Sequence, residues 1–273
     1  MKVGISTGAF FLKVPTEDTF KIINDIGAQT CEVFLATFCE YTPKFAELLA
    51  KASDGIDVYS IHTQTMQFEP DLFSAYKRNQ EDAEEIFKSV ANTANILGAK
   101  CYTMHGPARL KRIEYVLNYE QISKRLDELQ TILSAKTHGN CQITYENVHY
   151  CYYNSPFFFT NLRKNSKILA CLDVKQAMQS KISAFDYLDA CKDRLANVHL
   201  CDYTSEGLPV LPGKGIFNFV DFFVKLMKNN YSGPLIMEPY HNNYNNYSEL
   251  TAGLNYLKKC LSEAERRFYL NGQ

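Results

Sequence analysis

Apolar positions along the chain fall into short runs separated by longer stretches in which they recur at helical spacing. The short runs predict eight strands at Lys2–Thr7, Thr30–Leu35, Asp57–His62, Lys100–His105, Gln142–Asn147, Lys167–Val174, Ala196–Asp202 and Pro234–Glu238. The periodic stretches predict eight helices at Thr19–Gly27, Lys44–Ser53, Gln80–Leu97, Ile122–Lys136, Pro156–Arg163, Ser183–Arg194, Asn218–Asn229 and Ser248–Phe268. Ile122, Leu126, Leu129 and Leu133 share one helix face, and Gly27 and Gly98 stand where helices stop. Nearly continuous apolar strands alternating with helices indicate a parallel sheet covered on its outside. Eight such units predict one α/β domain over residues 1–273, a closed (β/α)8 TIM barrel. A doubly wound open sheet is the runner-up, but no G-x-G-x-x-G follows the first strand. The biased tract His241–Tyr247 reads as a surface loop after strand eight.

The seventh strand shows how the pattern places chemistry. In Asn197-Val198-His199-Leu200-Cys201-Asp202, Val198 and Leu200 point one way and Asn197, His199 and Cys201 the other. A glycine-rich turn, Pro212-Gly213-Lys214-Gly215, then leads into an amphipathic helix. His199 alone would pass for a satisfied core histidine, but the arrangement recurs. Glu32 lies within strand two, and strands three to eight end in His62, His105, Glu146, Asp173, His199 and Glu238. Burying a charged group at a strand end is expensive unless a partner compensates. In a barrel these ends converge on the mouth where active sites lie. Glu146, Asp173 and Glu238 together would repel one another and raise each other's pKa. A divalent cation would hold all three ionised. One imidazole with three carboxylates is a hard, oxygen-rich set that suits Mn²⁺ or Mg²⁺, with Co²⁺ or Zn²⁺ as options. Separate ion pairs to Lys or Arg are the structural alternative.

Composition narrows the classes. Hydrophobic residues make up 46% and charged residues 22%, as in ordinary globular proteins. The net charge of −1 gives no global pull toward nucleic acid or anionic membrane. Nine cysteines, an odd number without a C-x-x-C pair, are expected as buried thiols of a reduced, cytoplasmic protein. The N-terminus enters a strand at once, without a signal peptide, and no apolar run reaches the ~20 residues of a membrane span.

From Val3 to about Phe268 the sequence resembles the xylose isomerase-like TIM-barrel superfamily, which holds sugar isomerases and epimerases and the endonuclease IV group. Tyr145-Glu146-Asn147, Leu172-Asp173, the Val198–Gly215 run and Met237-Glu238-Pro239 carry the resemblance. It implies that Glu146, Asp173, His199 and Glu238 bind one catalytic metal ion, that Glu146 and Glu238 also move protons, and that His62 and His105 line the substrate pocket. Gln176 stands where many relatives carry a histidine and is read as a substrate contact. No arginine follows His199 in Tyr203–Glu206, unlike in a typical sugar epimerase. Gly207-Leu208-Pro209-Val210 occupies the stretch where the endonucleases add Asp and His ligands to a three-zinc cluster.

Other residues leave alternatives open. Lys214 is a substrate-side cation for a phosphate or carboxylate, or a solvated turn lysine. Glu32 orients a pocket residue or pairs with an arginine. His149 reads as a loop residue and His138 as a helix cap. The aromatic tract Tyr150–Phe159 suits a lid, a sugar-stacking wall, helix core or a homo-oligomer contact. The loops Arg109–Tyr119 and His241–Tyr247 flank the mouth. The resemblance implies a metal-dependent isomerase or epimerase of a small sugar, polyol or hydroxy-carbonyl compound. A keto-polyol (inosose) dehydratase, an abasic-site phosphodiesterase and a non-enzymatic binding protein are the alternatives.

Overall fold

A computed structural model describes residues 1–109 and 115–270. Eight parallel strands close into a barrel: β1 (Val3–Ser6), β2 (Thr30–Leu35), β3 (Asp57–Thr63), β4 (Cys101–Met104), β5 (Gln142–Glu146), β6 (Leu169–Asp173), β7 (Leu195–Leu200) and β8 (Leu235–Met237). They pair in chain order, and β1 closes the ring through Gly4↔Ile236. Helices follow the strands: α1 (Thr19–Asp25), α2 (Pro43–Ala52), α3 (Lys77–Leu97), α4 (Tyr119–Thr137), α5 (Pro156–Asn165), α6 (Val174–Gln179), α7 (Ala184–Cys191), α8 (Phe219–Lys228) and α9 (Tyr247–Leu270). The expected (β/α)8 TIM barrel is therefore the fold.

Local chemistry sets the helix ends. Thr42 and Ser155 accept the Phe45 and Phe158 N–H groups, each beside a proline in the first turn. Gly98 closes α3 in the left-handed region (φ 66°), and His138 does the same for α4 (φ 52°), as its reading as a cap anticipates. Fully buried apolar side chains such as Ile23, Leu49, Phe87, Leu129, Phe222 and Leu254 form one continuous core. None of the described helices is long and apolar enough to cross a membrane.

Several boundaries differ from the sequence reading. β1 stops at Ser6, and Thr7–Phe10 winds into a 3₁₀ turn capped by the Ser6 hydroxyl. α3 starts at Lys77 and α4 at Tyr119, both a turn earlier than their apolar stripes show. β7 ends at Leu200. Asp202–Tyr203 instead pairs antiparallel with Pro209–Val210 in a small ribbon over the barrel's end. α6 was not anticipated; it follows β6 without a connecting loop. Of the expected mouth loop Arg109–Tyr119, residues 110–114 lie outside the described residues.

Candidate active site

Polar side chains cluster in the barrel's interior. Glu32, wholly buried on β2, accepts hydrogen bonds at Oε2 from Ser60 Oγ (2.7 Å), Thr103 Oγ1 (2.8 Å) and Asn197 Nδ2 (3.0 Å). His199 Nε2 lies 3.0 Å from Glu32 Oε1 and 3.1 Å from Oε2. A carboxylate can only accept, so Nε2 carries the proton and Nδ1 is turned toward the mouth. Glu32 thus orients His199, and among the described residues no arginine pairs with it. Burial works against its charged form, but the charge and hydrogen bond of His199, with His62 adding to them when protonated, outweigh burial and lower its pKa.

At the mouth, Glu146, Asp173, His199 and Glu238 each bring one donor atom to within 4.8 Å of the others. His199 Nδ1 lies 3.3 Å from Glu238 Oε2, 3.7 Å from Glu146 Oε1 and 4.0 Å from Asp173 Oδ2. Asp173 Oδ2 and His199 Nδ1 are two of eleven side-chain atoms among the described residues that are buried without a hydrogen-bond partner. Buried polar atoms are rarely left so, and a shared cation would satisfy both. Three carboxylate oxygens and one imidazole nitrogen fit a divalent ion of the Mn²⁺ or Mg²⁺ kind. Asp173 is held for this position: its Oδ1 caps α6 through the Gln176 N–H (2.8 Å), and its N–H donates to Asn147 Oδ1 (2.7 Å). Burial, opposed by Lys175 but reinforced by Glu146 and Glu238, pushes Asp173 up to about 7. Carboxylate repulsion therefore adds to burial at Asp173 alone. Despite burial, Glu146, beside His105 and His199, and Glu238, beside His199 and Lys175, are lowered instead, against the mutual rise the sequence implied.

His62 and His105 sit beside this set. His105 Nδ1 is 3.1 Å from Glu69 Oε2, and its Nε2 is 3.3 Å from Glu146 Oε2. Burial disfavours a charged imidazole, yet Glu69 and Glu146 together raise His105 well above the ordinary histidine range. Held as imidazolium, it keeps Glu146 ionised. His62 goes the other way: burial dominates, lowers its pKa and favours the neutral ring. Its ring meets Phe34 at 4.7 Å and His105 at 5.0 Å between centroids.

The mouth opens into a cavity of about 230 Å³. His62, His105, Glu146, Lys175, Gln176 and Glu238 line its polar part, and Phe11, Phe34, Tyr150 and Tyr240 its aromatic part. Larger hollows of about 750 and 940 Å³ elsewhere hold none of the strand-end acids or imidazoles, so chemistry and not size marks the site. Gln176 Oε1 accepts from the His149 N–H (3.1 Å) and lies 2.6 Å from His149 Nδ1, which ties His149 to the wall of the pocket. Lys214 is not brought to the mouth. It is exposed and paired with Glu249, as the reading of a solvated turn lysine has it. Its neighbouring glycines serve Asp202, whose carboxylate accepts from the N–H groups of Tyr203, Gly213, Gly215 and Phe217. Of the aromatic tract, Tyr153, Phe158 and Phe159 are core, and Tyr150 reaches the pocket with its hydroxyl 2.8 Å from that of Thr65.

A sequence profile described as xylose isomerase-like TIM barrel matches residues 20–260. The chain belongs to that family. No curated protein matches by sequence. Solved structures resemble this xylose isomerase-like barrel throughout. A D-tagatose 3-epimerase-like protein aligns with a TM-score of 0.75 at 18% identity over 98% of this chain and 99% of its own. A 3-keto-D-glucoside 4-epimerase from E. coli aligns with 0.75 at 17% over 95% and 100%. A D-psicose 3-epimerase from Clostridium cellulolyticum H10, solved with D-tagatose, aligns with 0.78 at 14% over 96% and 99%. At such identities the likeness establishes the barrel and leaves the chemistry to this family member's own residues.

Two of those residues escaped the sequence reading. Glu69, in a loop turn after β3, accepts at Oε2 from the His105 N–H (2.9 Å) and at Oε1 from Tyr102 Oη. Lys175, on the first turn of α6, places Nζ 3.3 Å from Glu238 Oε2 and 3.6 Å from Asp173 Oδ2. Burial opposes its charge, but Asp173 and Glu238 raise its pKa well above the usual lysine range. The available signal was a lysine two residues beyond a strand-end aspartate.

Proposed function

We propose that this chain is a divalent-metal-dependent isomerase or epimerase of a small sugar-like hydroxy-carbonyl compound. The observation that carries the reading is the convergence of Glu146, Asp173, His199 and Glu238 at one barrel mouth, where Asp173 Oδ2 and His199 Nδ1 are buried without a hydrogen bond. A divalent ion held by Glu146, Asp173, His199 and Glu238 would supply Lewis acidity toward a carbonyl oxygen. Glu146 and Glu238 flank the substrate. One takes the proton from the carbon beside the carbonyl, and the other returns a proton on the neighbouring atom or the opposite face. His105, charged between Glu69 and Glu146, keeps Glu146 a carboxylate and presents an N–H to it. Neutral His62 and Gln176 offer hydrogen bonds to hydroxyls, and Phe34, Tyr150 and Tyr240 offer faces for C–H groups. A cavity of about 230 Å³ falls below the roughly 300 Å³ lower end of drug-sized pockets, which favours a small polyol. The epimerase names of the structural neighbours support the same class.

The test is solvent exchange. Ketoses, inososes and hydroxypyruvate-like acids are incubated in D₂O with enzyme and Mn²⁺, and the C–H signal is followed by NMR. Deuterium should enter beside the carbonyl, and Glu146→Gln or Glu238→Gln should slow it about 10²–10⁴-fold. Conversion that survives both substitutions at the wild-type rate would remove these glutamates from the chemistry.

A second reading, phosphodiester cleavage at abasic sites, is favoured by one observation. His62, His105 and Glu146 also bring donor atoms within 4.8 Å of one another, as a second ion would require. Against it, Gly207 and Pro209 stand in the turn of the ribbon after β7 without ligand side chains, and the net charge is −1. Cleavage of an abasic duplex in the presence of zinc, lost on Glu238→Gln, would reverse the ranking.

A further inference from the structure

Lys175 is the one lysine or arginine among the described residues that line the mouth cavity, and it is 3% exposed. Its Nζ donates to the Glu238 backbone oxygen (3.2 Å) and to Glu238 Oε2 (3.3 Å). Asp173 Oδ2, at 3.6 Å, lies beyond hydrogen-bond reach, and the Tyr240 ring packs 4.4 Å from Nζ. An ammonium has three donors, and Glu238 engages two of them. The third has no hydrogen-bond acceptor among the described residues, and Lys175 lines the cavity.

The charge balance gives that donor a task. With His105 set against Glu69, the three mouth carboxylates and one ammonium would sum to neutrality before reaction once a divalent ion is bound. When the carbon-bound proton passes to a glutamate, its C–H pair becomes part of a C=C bond. The former carbonyl pair moves onto oxygen, which gains a full negative charge. A fixed cation within hydrogen-bond reach of that oxygen stabilises the charged state more than the neutral ketone. We infer that Lys175 is a further substrate-contacting residue, which holds the substrate oxygen that becomes negative when the C–H bond breaks. Lys175 keeps its own proton throughout. The inference rests on the isomerase reading above and adds a residue that no strand-end comparison supplies.

The same placement has a second, independent consequence. A cation beside Asp173 and Glu238 works against a divalent ion at that edge, so removing its charge should tighten metal binding.

The experiment uses wild type, Lys175→Met and Lys175→Gln, with folding checked by circular dichroism. Mn²⁺ affinity is measured by calorimetry. At saturating Mn²⁺, binding of glycolohydroxamate, an anionic planar mimic of the deprotonated substrate, is compared with binding of neutral xylitol. Both variants should bind Mn²⁺ at least as tightly as wild type. They should lose about 10²-fold in hydroxamate affinity, with xylitol affected less than about threefold. Unchanged hydroxamate affinity, or equal losses for hydroxamate and xylitol, would make Lys175 a structural charge partner of Glu238 and overturn the inference. Lys175→Gln keeps a neutral N–H donor on a chain one bond shorter, so it tests loss of the ammonium even if the methionine variant does not fold. None of these titrations needs turnover. Absence of solvent exchange in the wild type would therefore count against the isomerase reading, and the hydroxamate comparison would still decide the role of Lys175.

Discussion

At the scale of single residues, the site is set by which atom of each group is already engaged. Glu32 takes Nε2 of His199 and so leaves Nδ1 for a ligand. Glu32→Gln should weaken Mn²⁺ binding about 10–100-fold by calorimetry, with little change in far-UV circular dichroism, because orienting partners of a metal-binding histidine typically matter that much. Asp173 gives a pH dependence. Its pKa is raised to about 7 in the fold, above that of an unfolded aspartate. The unfolded chain therefore releases this proton first. The contribution of Asp173 to stability is full below about pH 4 and is lost as pH rises to about 7. Metal-stripped wild type should lose melting temperature across that window relative to Asp173→Asn, and saturating Mn²⁺ should remove the loss. The four convergent strand-end residues were legible because an acid or imidazole that closes an apolar run stands out in one dimension. Lys175 and Glu69 were not. The burial of Lys175 depends on Glu238, 63 positions away, and Glu69 meets its histidine 36 positions on. Read locally, each is a charged residue in a polar segment.

At the scale of elements, alternation and helical spacing located all eight strands, because strand and helix periods differ and the helices lie between the strands. Short elements were less visible. α6 spans six residues, too few for a periodic stripe, and its start is fixed by the side chain of Asp173. The glycine-rich run after β7 was visible as a motif, but its purpose was not. It brings the Gly213 and Gly215 N–H groups to Asp202, beside those of Tyr203 and Phe217, and Gly213 adopts φ +89° to do so. Asp202→Ala should strand those donors. Of these bonds only that of Phe217 is buried and the others are part-buried, so a loss of about 1–3 kcal/mol in urea unfolding is expected, with Asp202→Asn intermediate. Gly106 is a second position that tolerates no side chain. Its φ is +79°, and an added Cβ would lie 2.3 Å from Tyr145 Oη. Gly106→Ala should destabilise by more than about 1 kcal/mol in the same assay.

At the scale of the molecule, one ion would join β5, β6, β7 and the end of β8, half of the ring. Saturation at about 100 times the dissociation constant should therefore stabilise the whole barrel by about 2.7 kcal/mol, seen as a rise in melting temperature that EDTA reverses. No shift with Mn²⁺ or Mg²⁺ would argue against the shared site. The Glu32 hub bears on how such a protein can change over generations. It ties β2, β3, β4 and β7 through hydrogen bonds in the place where other barrels can stack aliphatic side chains. Buried ionic groups can often be exchanged, all partners at once, for well-packed apolar ones without loss of stability, whereas removing a single partner is strongly destabilising. A lineage released from selection for activity should therefore shed Glu32, Asn197 and His199 together or not at all. The three together report whether a related sequence is still under that selection.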